Sequence, residues 1–93
     1  MVVVSNTSPL IYLTKIGELR LLEVLFSEII LADMVYEEVV IQGAGMPGSD
    51  EVRNAAWIKR QSVLNKALVQ KLQNENLIDA GEAETLVLAQ ELK

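Results

Sequence analysis

The sequence contains neither cysteine nor histidine among its 93 residues. Without cysteine there are no disulfide bonds or thiolate metal sites, and without histidine no imidazole can act as a base or a metal ligand. Any catalysis would therefore depend on carboxylates, hydroxyls, lysine or a metal ion held by oxygen ligands. Long apolar runs and the features of a signal peptide are also lacking, so we expect a cytoplasmic protein with no membrane span.

Basic residues are scarce: the sequence has eight of them and thirteen acidic residues, which gives a net charge of −5. A negative chain does not attract nucleic acid through its overall charge. The stretch from Val52 to Asn74 nevertheless contains no acid and five basic residues, which are Arg53, Lys59, Arg60, Lys66 and Lys71. This stretch is either a surface that faces phosphate, with Arg53, Lys59 and Arg60 as RNA contacts, or a solvated polar face.

Apolar residues, in contrast, are abundant and make up 51% of the chain. A chain of this size buries only about 60–65% of the surface that its unfolded form exposes. The excess predicts either a partner surface, as in a homodimer or higher oligomer, or further segments that complete the fold.

The order of the predicted elements is that of one α/β domain over residues 1–93. A buried strand is expected at Val2–Ser5, followed by a helix with Ser8 as N-cap and Pro9 at its first position. Further strands are expected at Glu28–Leu31 and in the stretch WIKRQSV, with helices between and after them. Gly17 is expected to end the first helix, and Asp33 to cap a helix at Met34–Gln42. This alternation predicts a short parallel sheet of about three strands flanked by helices. The last helix has no stop signal, so we expect further strands in the complete fold.

Polar side chains recur where predicted strands end and helices begin. They are Asn6, Glu37, Glu38, Glu82 and Glu84. Each has a purely structural explanation, since Asn6 suits a turn or cap, acids suit the first turns of helices, and Asp79 with Glu82 has capping-box spacing. In a parallel sheet, however, the carboxyl ends of the strands share one edge. Acids that converge there would repel one another unless a cation such as Mg²⁺ or Mn²⁺ held them.

The chain resembles a PIN domain in two segments, VVVSNTSPLIYLTKIGELRLLEVLFSEIILADMVYEEVV and, at a distance, DAGEAETLVLAQEL. The resemblance covers most of the chain and is greatest to prokaryotic PIN proteins related to the toxins of VapBC toxin–antitoxin systems. It implies a Rossmann-like α/β/α fold with a parallel sheet. It also implies a single-strand-specific ribonuclease that uses Mg²⁺ or Mn²⁺ bound by about four acids.

Carried over residue by residue, the resemblance places the metal and catalytic positions on Asn6, Glu38 and Glu82, with Glu84 as the alternative to Glu82. Thr7 or Ser8 matches a hydroxyl that supports the metal site. Asn6 is an amide where the family has a carboxylate, and the family's next strand, which ends in aspartate, would lie beyond Lys93. The expectation is therefore a truncated domain that binds metal weakly and has little or no activity.

The resemblance also implies partners. PIN-like toxins form homodimers through their early helices, which here carry Leu13, Leu21 and Leu25, and they bind an antitoxin protein. The alternative to a nuclease is accordingly a non-catalytic module that keeps the fold for dimerisation or for holding an antitoxin-like partner.

Overall fold

The computed structural model describes residues 2–93, in which helices alternate with short strands. In chain order the elements are α1 (Thr7–Lys15), α2 (Arg20–Phe26), β1 (Ile29–Ala32), α3 (Asp33–Tyr36), a π-helix (Glu37–Gln42), α4 (Ser49–Asn54), β2 (Ile58–Gln61), α5 (Lys66–Asn76) and α6 (Ala80–Glu91). Within these residues the fold is an α/β domain with six α-helices, as the alternating pattern predicts. No helix among residues 2–93 is both long and apolar enough to cross a membrane.

The sheet in the described residues has two parallel strands and one additional bridge. Strand β1 pairs with β2, and on its other side Val4 forms a single bridge with Ile30. Two hydrogen bonds flank this bridge, from the Ile30 N–H to the Val3 carbonyl at 2.9 Å and from the Ser5 N–H to the Ile30 carbonyl at 3.1 Å. The predicted strand Val2–Ser5 is thus reduced to one bridge, since the backbone bonds of this segment to β1 are those of Val3 and Ser5 with Ile30. The expected count of about three strands is corrected accordingly.

The start of α1 also differs from the prediction. Asn6, in extended conformation, occupies the N-cap position without a side-chain capping bond, so Ser8 and Pro9 lie inside the first turn. The prediction of Ser8 as N-cap is therefore wrong. Pro9 is tolerated because N–H groups in the first turn have no partner in the helix. Gly17 follows the helix with a φ of 72°, a left-handed conformation that glycine adopts without strain, which confirms it as the end signal.

The single helix predicted for Met34–Gln42 is divided in the structure. It begins as α3 and continues from Glu37 as a π-helix, a geometry that is rare and frequently found at functional sites. Asp33 is the first residue of α3 and not its cap, since Ala32 occupies the N-cap position. The Asp33 carboxylate instead accepts hydrogen bonds from residues on and after β2, as described below.

Strand β1 lies between two hydrophobic clusters. Ile29 and Leu31 belong to a cluster with the buried side chains of α1, α3, α4 and the π-helix. Ile30 packs on the opposite side, against a cluster that includes Val87 and Leu88 of α6. Because β1 is covered on both sides, its sequence is an uninterrupted apolar run. The packing of α6 brings its first turn near the first turns of α1 and the π-helix.

Candidate functional site

A cavity of about 280 Å³ lies where three helices begin. It is lined by Asn6, Thr7, Ser8, Glu38, Asp79, Gly81 and Glu82. The first three residues follow the Val4 bridge at the start of α1, Glu38 lies in the first turn of the π-helix, and the last three surround the start of α6. The structure therefore brings Asn6, Glu38 and Glu82, which are distant in sequence, to one cavity at the carboxyl edge of the sheet, as the strand order predicts.

Glu38 is the half-buried acid of this cavity. Its Oε2 accepts a hydrogen bond from the Thr7 hydroxyl at 2.9 Å, which joins the π-helix to the first residue of α1. The predicted hydroxyl at position 7 or 8 thus contacts a predicted acid, and the contact is made by Thr7. A hydrogen bond to a carboxylate is shorter and stronger than one between neutral groups, so it helps to fix the orientation of the Glu38 side chain.

Asp79 and Glu82 enter the cavity from α6. The Asp79 side chain accepts a hydrogen bond from the Glu82 N–H at 2.8 Å, so Asp79 is the N-cap of α6, as the capping-box spacing predicts. The Glu82 side chain is exposed and lines the cavity. The sequence predicts Asp79 only as a cap, and it does not predict that Asp79 also lines the cavity. The signal for it was its place immediately before a helix that approaches the sheet edge.

Glu84 and Glu37 do not line the cavity. The Glu84 carboxylate accepts a hydrogen bond from the Met34 N–H at 2.9 Å and so stabilises the start of α3. The Glu37 carboxylate faces Arg60, with its Oε1 at 3.3 Å from Nη2. Of the two candidates on α6, the structure therefore places Glu82 in the cavity and gives Glu84 a structural contact.

The side-chain atoms of the cavity that could bind a metal ion are all oxygens, which is the ligand type of Mg²⁺ and Mn²⁺. Among residues 2–93, no group of three or more acidic side chains lies close enough to hold a metal ion. Asn6 adds a carbonyl oxygen without charge. Mg²⁺ is often bound through one or two carboxylates while it keeps several waters. Glu38 and Glu82 are the carboxylates, and Asn6 the neutral oxygen, with which the cavity could hold a largely hydrated ion.

Arg60 lies at the centre of a separate polar cluster, which we call the Arg60 cluster, formed with Asp33, Tyr36, Glu37 and Ser62. Its Nε is 2.7 Å from Oδ1 of Asp33, its Nη2 contacts Glu37, and its guanidinium lies 4.7 Å from the centre of the Tyr36 ring. Hydrogen bonds from Ser62 and then Arg60 hold the pKa of Asp33 below its usual value. The same contact with Asp33 raises the pKa of Arg60.

The three basic residues predicted to contact RNA differ in their surroundings. Arg60 is held by two acids, and Arg53 pairs with Asp50 at 2.6 Å on the exposed side of α4. Lys59 is exposed on β2, and within the described part of the chain it takes part in no ion pair. Of the three, Lys59 is therefore the cation that an external anion can approach at the lowest cost.

The fold and the cavity define an α/β domain with a polar site at the carboxyl edge of a parallel sheet. A family model described as a PIN domain matches residues 2–93. The chain belongs to the PIN-domain family, and the resemblance of its two segments to PIN domains is confirmed. Searches of curated proteins and of solved structures found no significant match.

Proposed function

We propose that the cavity corresponds to the site of a Mg²⁺- or Mn²⁺-dependent single-strand ribonuclease of toxin type, in a form with weak or no activity. The observation that carries this proposal is the convergence of Asn6, Glu38 and Glu82, from three separate parts of the chain, on one cavity. Membership of the PIN-domain family supports the reaction class. The amide at position 6 supports the loss of activity, because it removes a negative charge from the place where a hard cation would be held.

The roles of the residues follow from their positions. A bound metal would lower the pKa of a water molecule and offset negative charge on the phosphodiester. Glu38, oriented by the Thr7 hydroxyl, and Glu82 would hold that cation with their carboxylates, and the Asn6 carbonyl would complete the set. In the hydrolysis one water adds to phosphorus, one bond from phosphorus to a sugar oxygen breaks, and the departing oxygen takes up a proton.

The test compares the protein with its Asn6→Asp variant. We expect no appreciable cleavage of single-stranded RNA by the unchanged chain, and Mn²⁺ binding that becomes about tenfold tighter in Asn6→Asp, because ligand charge governs the affinity for hard cations. Calorimetric Mn²⁺ titration and gel assays of RNA cleavage measure both effects. The matched control is Asn6→Ala, which should weaken the binding.

Three results would contradict the proposal. Unchanged Mn²⁺ binding in Asn6→Asp would mean that the site does not lie in this cavity. Micromolar metal affinity of the unchanged chain, or RNA cleavage that Glu38→Gln abolishes, would show that the amide does not cripple the site.

A second candidate function is a non-catalytic module for dimerisation or partner binding. It is favoured by exposed apolar side chains on α1, at its C-cap and on α2, which are Tyr12, Ile16, Leu21, Val24, Leu25 and Phe26. We call this surface the α1–α2 face. Val24 is 76% and Leu25 61% exposed, whereas Leu13, one of the three predicted contact residues, packs against the core. Apolar patches of this kind mark interaction surfaces. We propose that the face binds a second copy of the chain, and that an antitoxin-like protein is the alternative occupant.

A charge in the α1–α2 face tests this assignment. We expect the unchanged chain to sediment as a dimer at micromolar concentration and Leu25→Glu to sediment as a monomer with unchanged helix content. The matched control is Leu64→Glu, because Leu64 is 87% exposed but lies outside this face, and that variant should stay dimeric. A 10.3 kDa species for the unchanged chain would refute self-association.

A further inference from the structure

Gly81, in the first turn of α6, lies directly against the carboxylate of Glu38. A Cβ atom at this position would be 2.5 Å from Oε1 of Glu38, 3.2 Å from Cδ and 3.3 Å from Oε2. These are the three atoms of one carboxylate group. The shortest of the distances is below what real Cβ atoms show, so the carboxylate occupies space that any side chain at position 81 would fill.

The conformation of the backbone does not require glycine at this position. Gly81 lies within α6 and is not among the residues with positive φ, which include Gly17, Gly45 and Gly48. Glycine is also among the weakest helix formers, so its presence in the first turn of a helix needs another explanation. The close approach of the Glu38 carboxylate provides one, since glycine is used where another group comes close to the backbone.

Contacts on both sides define where the Glu38 carboxylate lies. Thr7 donates to Oε2 from α1, and the Gly81 backbone limits its movement towards α6. Gly81 itself is anchored, because its carbonyl accepts a hydrogen bond from the Thr85 hydroxyl at 2.7 Å. The carboxylate is the far end of a flexible side chain. A methyl group at position 81 would therefore displace the carboxylate more readily than the helix.

We propose that Gly81 is a positioning residue of the cavity, whose missing side chain lets the Glu38 carboxylate lie between Thr7 and α6. A side chain at position 81 turns this carboxylate away from Thr7. The effect on metal binding rests on the proposed function, whereas the effect on the contact between Thr7 and Glu38 does not.

The first experiment needs no metal. Thr7→Val removes the hydroxyl and keeps the shape of the side chain, and it is made in the unchanged chain and in Gly81→Ala. Urea unfolding should show that Thr7→Val raises the unfolding equilibrium constant about fivefold in the unchanged chain, because it removes a hydrogen bond to a carboxylate. In Gly81→Ala the same change should have almost no effect. An equal loss in both backgrounds overturns the proposal.

If Gly81→Ala does not fold, a double variant still tests the proposal. Glu38→Ala removes the carboxylate that a Cβ at position 81 would meet, so adding Glu38→Ala to Gly81→Ala should restore cooperative unfolding. A double variant that still fails to fold would show that the methyl group meets something other than the carboxylate, and would overturn the proposal.

The second experiment measures Mn²⁺ binding by electron paramagnetic resonance. Gly81→Ala should weaken the binding about tenfold, the usual effect of disturbing a group that orients a metal ligand. The matched control is Leu86→Ala, which changes an exposed side chain of α6 that does not line the cavity, and it should leave the affinity unchanged. Equal weakening by both variants would refute the positioning role.

The two experiments also separate the failure of this inference from that of the proposed function. Should no variant bind Mn²⁺, Asn6→Asp included, the metal site is refuted, while the unfolding data still decide the role of Gly81.

Discussion

Glu37 and Glu38 are neighbours in the chain but belong to two differently organised acidic regions. Glu37 shares the guanidinium of Arg60 with Asp33, so the acids of the Arg60 cluster have a cation within the molecule. Glu38 lines the cavity with Asp79 and Glu82, and none of the described lysine or arginine residues forms an ion pair with these three acids. The difference separates acids that stabilise the fold from acids that could hold an external cation.

The largest effect that tests this comparison is expected from Arg60→Met. The change leaves Asp33 and Glu37 without their common cation and removes the contact with the Tyr36 ring. We expect the free energy of unfolding at neutral pH to fall by about 1–2 kcal/mol, a modest value because the pairs are partly exposed. Urea denaturation measures it. The matched control is Arg53→Met on α4, whose exposed pair with Asp50 should contribute less than about 0.5 kcal/mol. Equal losses would show that the Arg60 cluster stabilises the fold no more than the exposed pair of Arg53 and Asp50.

A smaller effect concerns acid pH. Since the pKa of Asp33 is lowered in the folded state, its ionised form stabilises the fold above the unfolded value of about 3.9, and this contribution is lost as the pH falls through the lowered pKa. We expect Asp33→Asn to lose about 1 kcal/mol at pH 7 and to show a flatter decline of stability below about pH 4. Thermal unfolding at several pH values measures the slope. Parallel curves for the variant and the unchanged chain would contradict the assignment.

The smallest effect concerns RNA. If the basic segment contacts single-stranded RNA, the binding should weaken steeply with salt, and Lys59→Ala should reduce the slope of log K against log salt by about one. Arg60→Ala should change the slope less, because the Arg60 guanidinium is already paired with two acids. Fluorescence anisotropy with an RNA oligonucleotide at several salt concentrations measures both variants, and the Lys59→Ala, Arg60→Ala double variant serves as the lower limit. Binding that does not depend on salt would assign the basic segment to solvation.

Several features were predictable because their causes are local or topological. The cap of α6 follows from the spacing of Asp79 and Glu82, and the end of α1 follows from Gly17. The meeting of Asn6, Glu38 and Glu82 required one further step, the rule that parallel strands share their carboxyl edge. That step needed only the order of strands and helices and the PIN resemblance.

Other features depend on contacts between distant parts of the chain. The basic segment contains no acid, yet its Arg60 is paired because β2 lies beside β1 and so brings Arg60 to Asp33. Neither the π-helix nor the contact between Gly81 and Glu38 follows from a hydrophobic pattern, and the contact depends on where α6 packs relative to the π-helix. The prediction placed the N-cap of α1 two residues too late, because Ser8 followed by Pro9 is a typical helix start. The helix instead begins at Thr7, three residues after the Val4 bridge.

The central position of β1 also affects how the protein folds. Ile30 is bridged to Val4 on one side and paired with Lys59 on the other, so neither partner is close in sequence. Each pairing therefore needs a long loop to close before its hydrogen bonds form, and contacts of this kind slow folding. The helices can form locally, so we expect the sheet to assemble after them and to open only when the whole domain unfolds. The Ile30 amide, bonded to the Val3 carbonyl, should therefore be among the slowest to exchange its hydrogen with solvent, and its exchange rate should report the global stability.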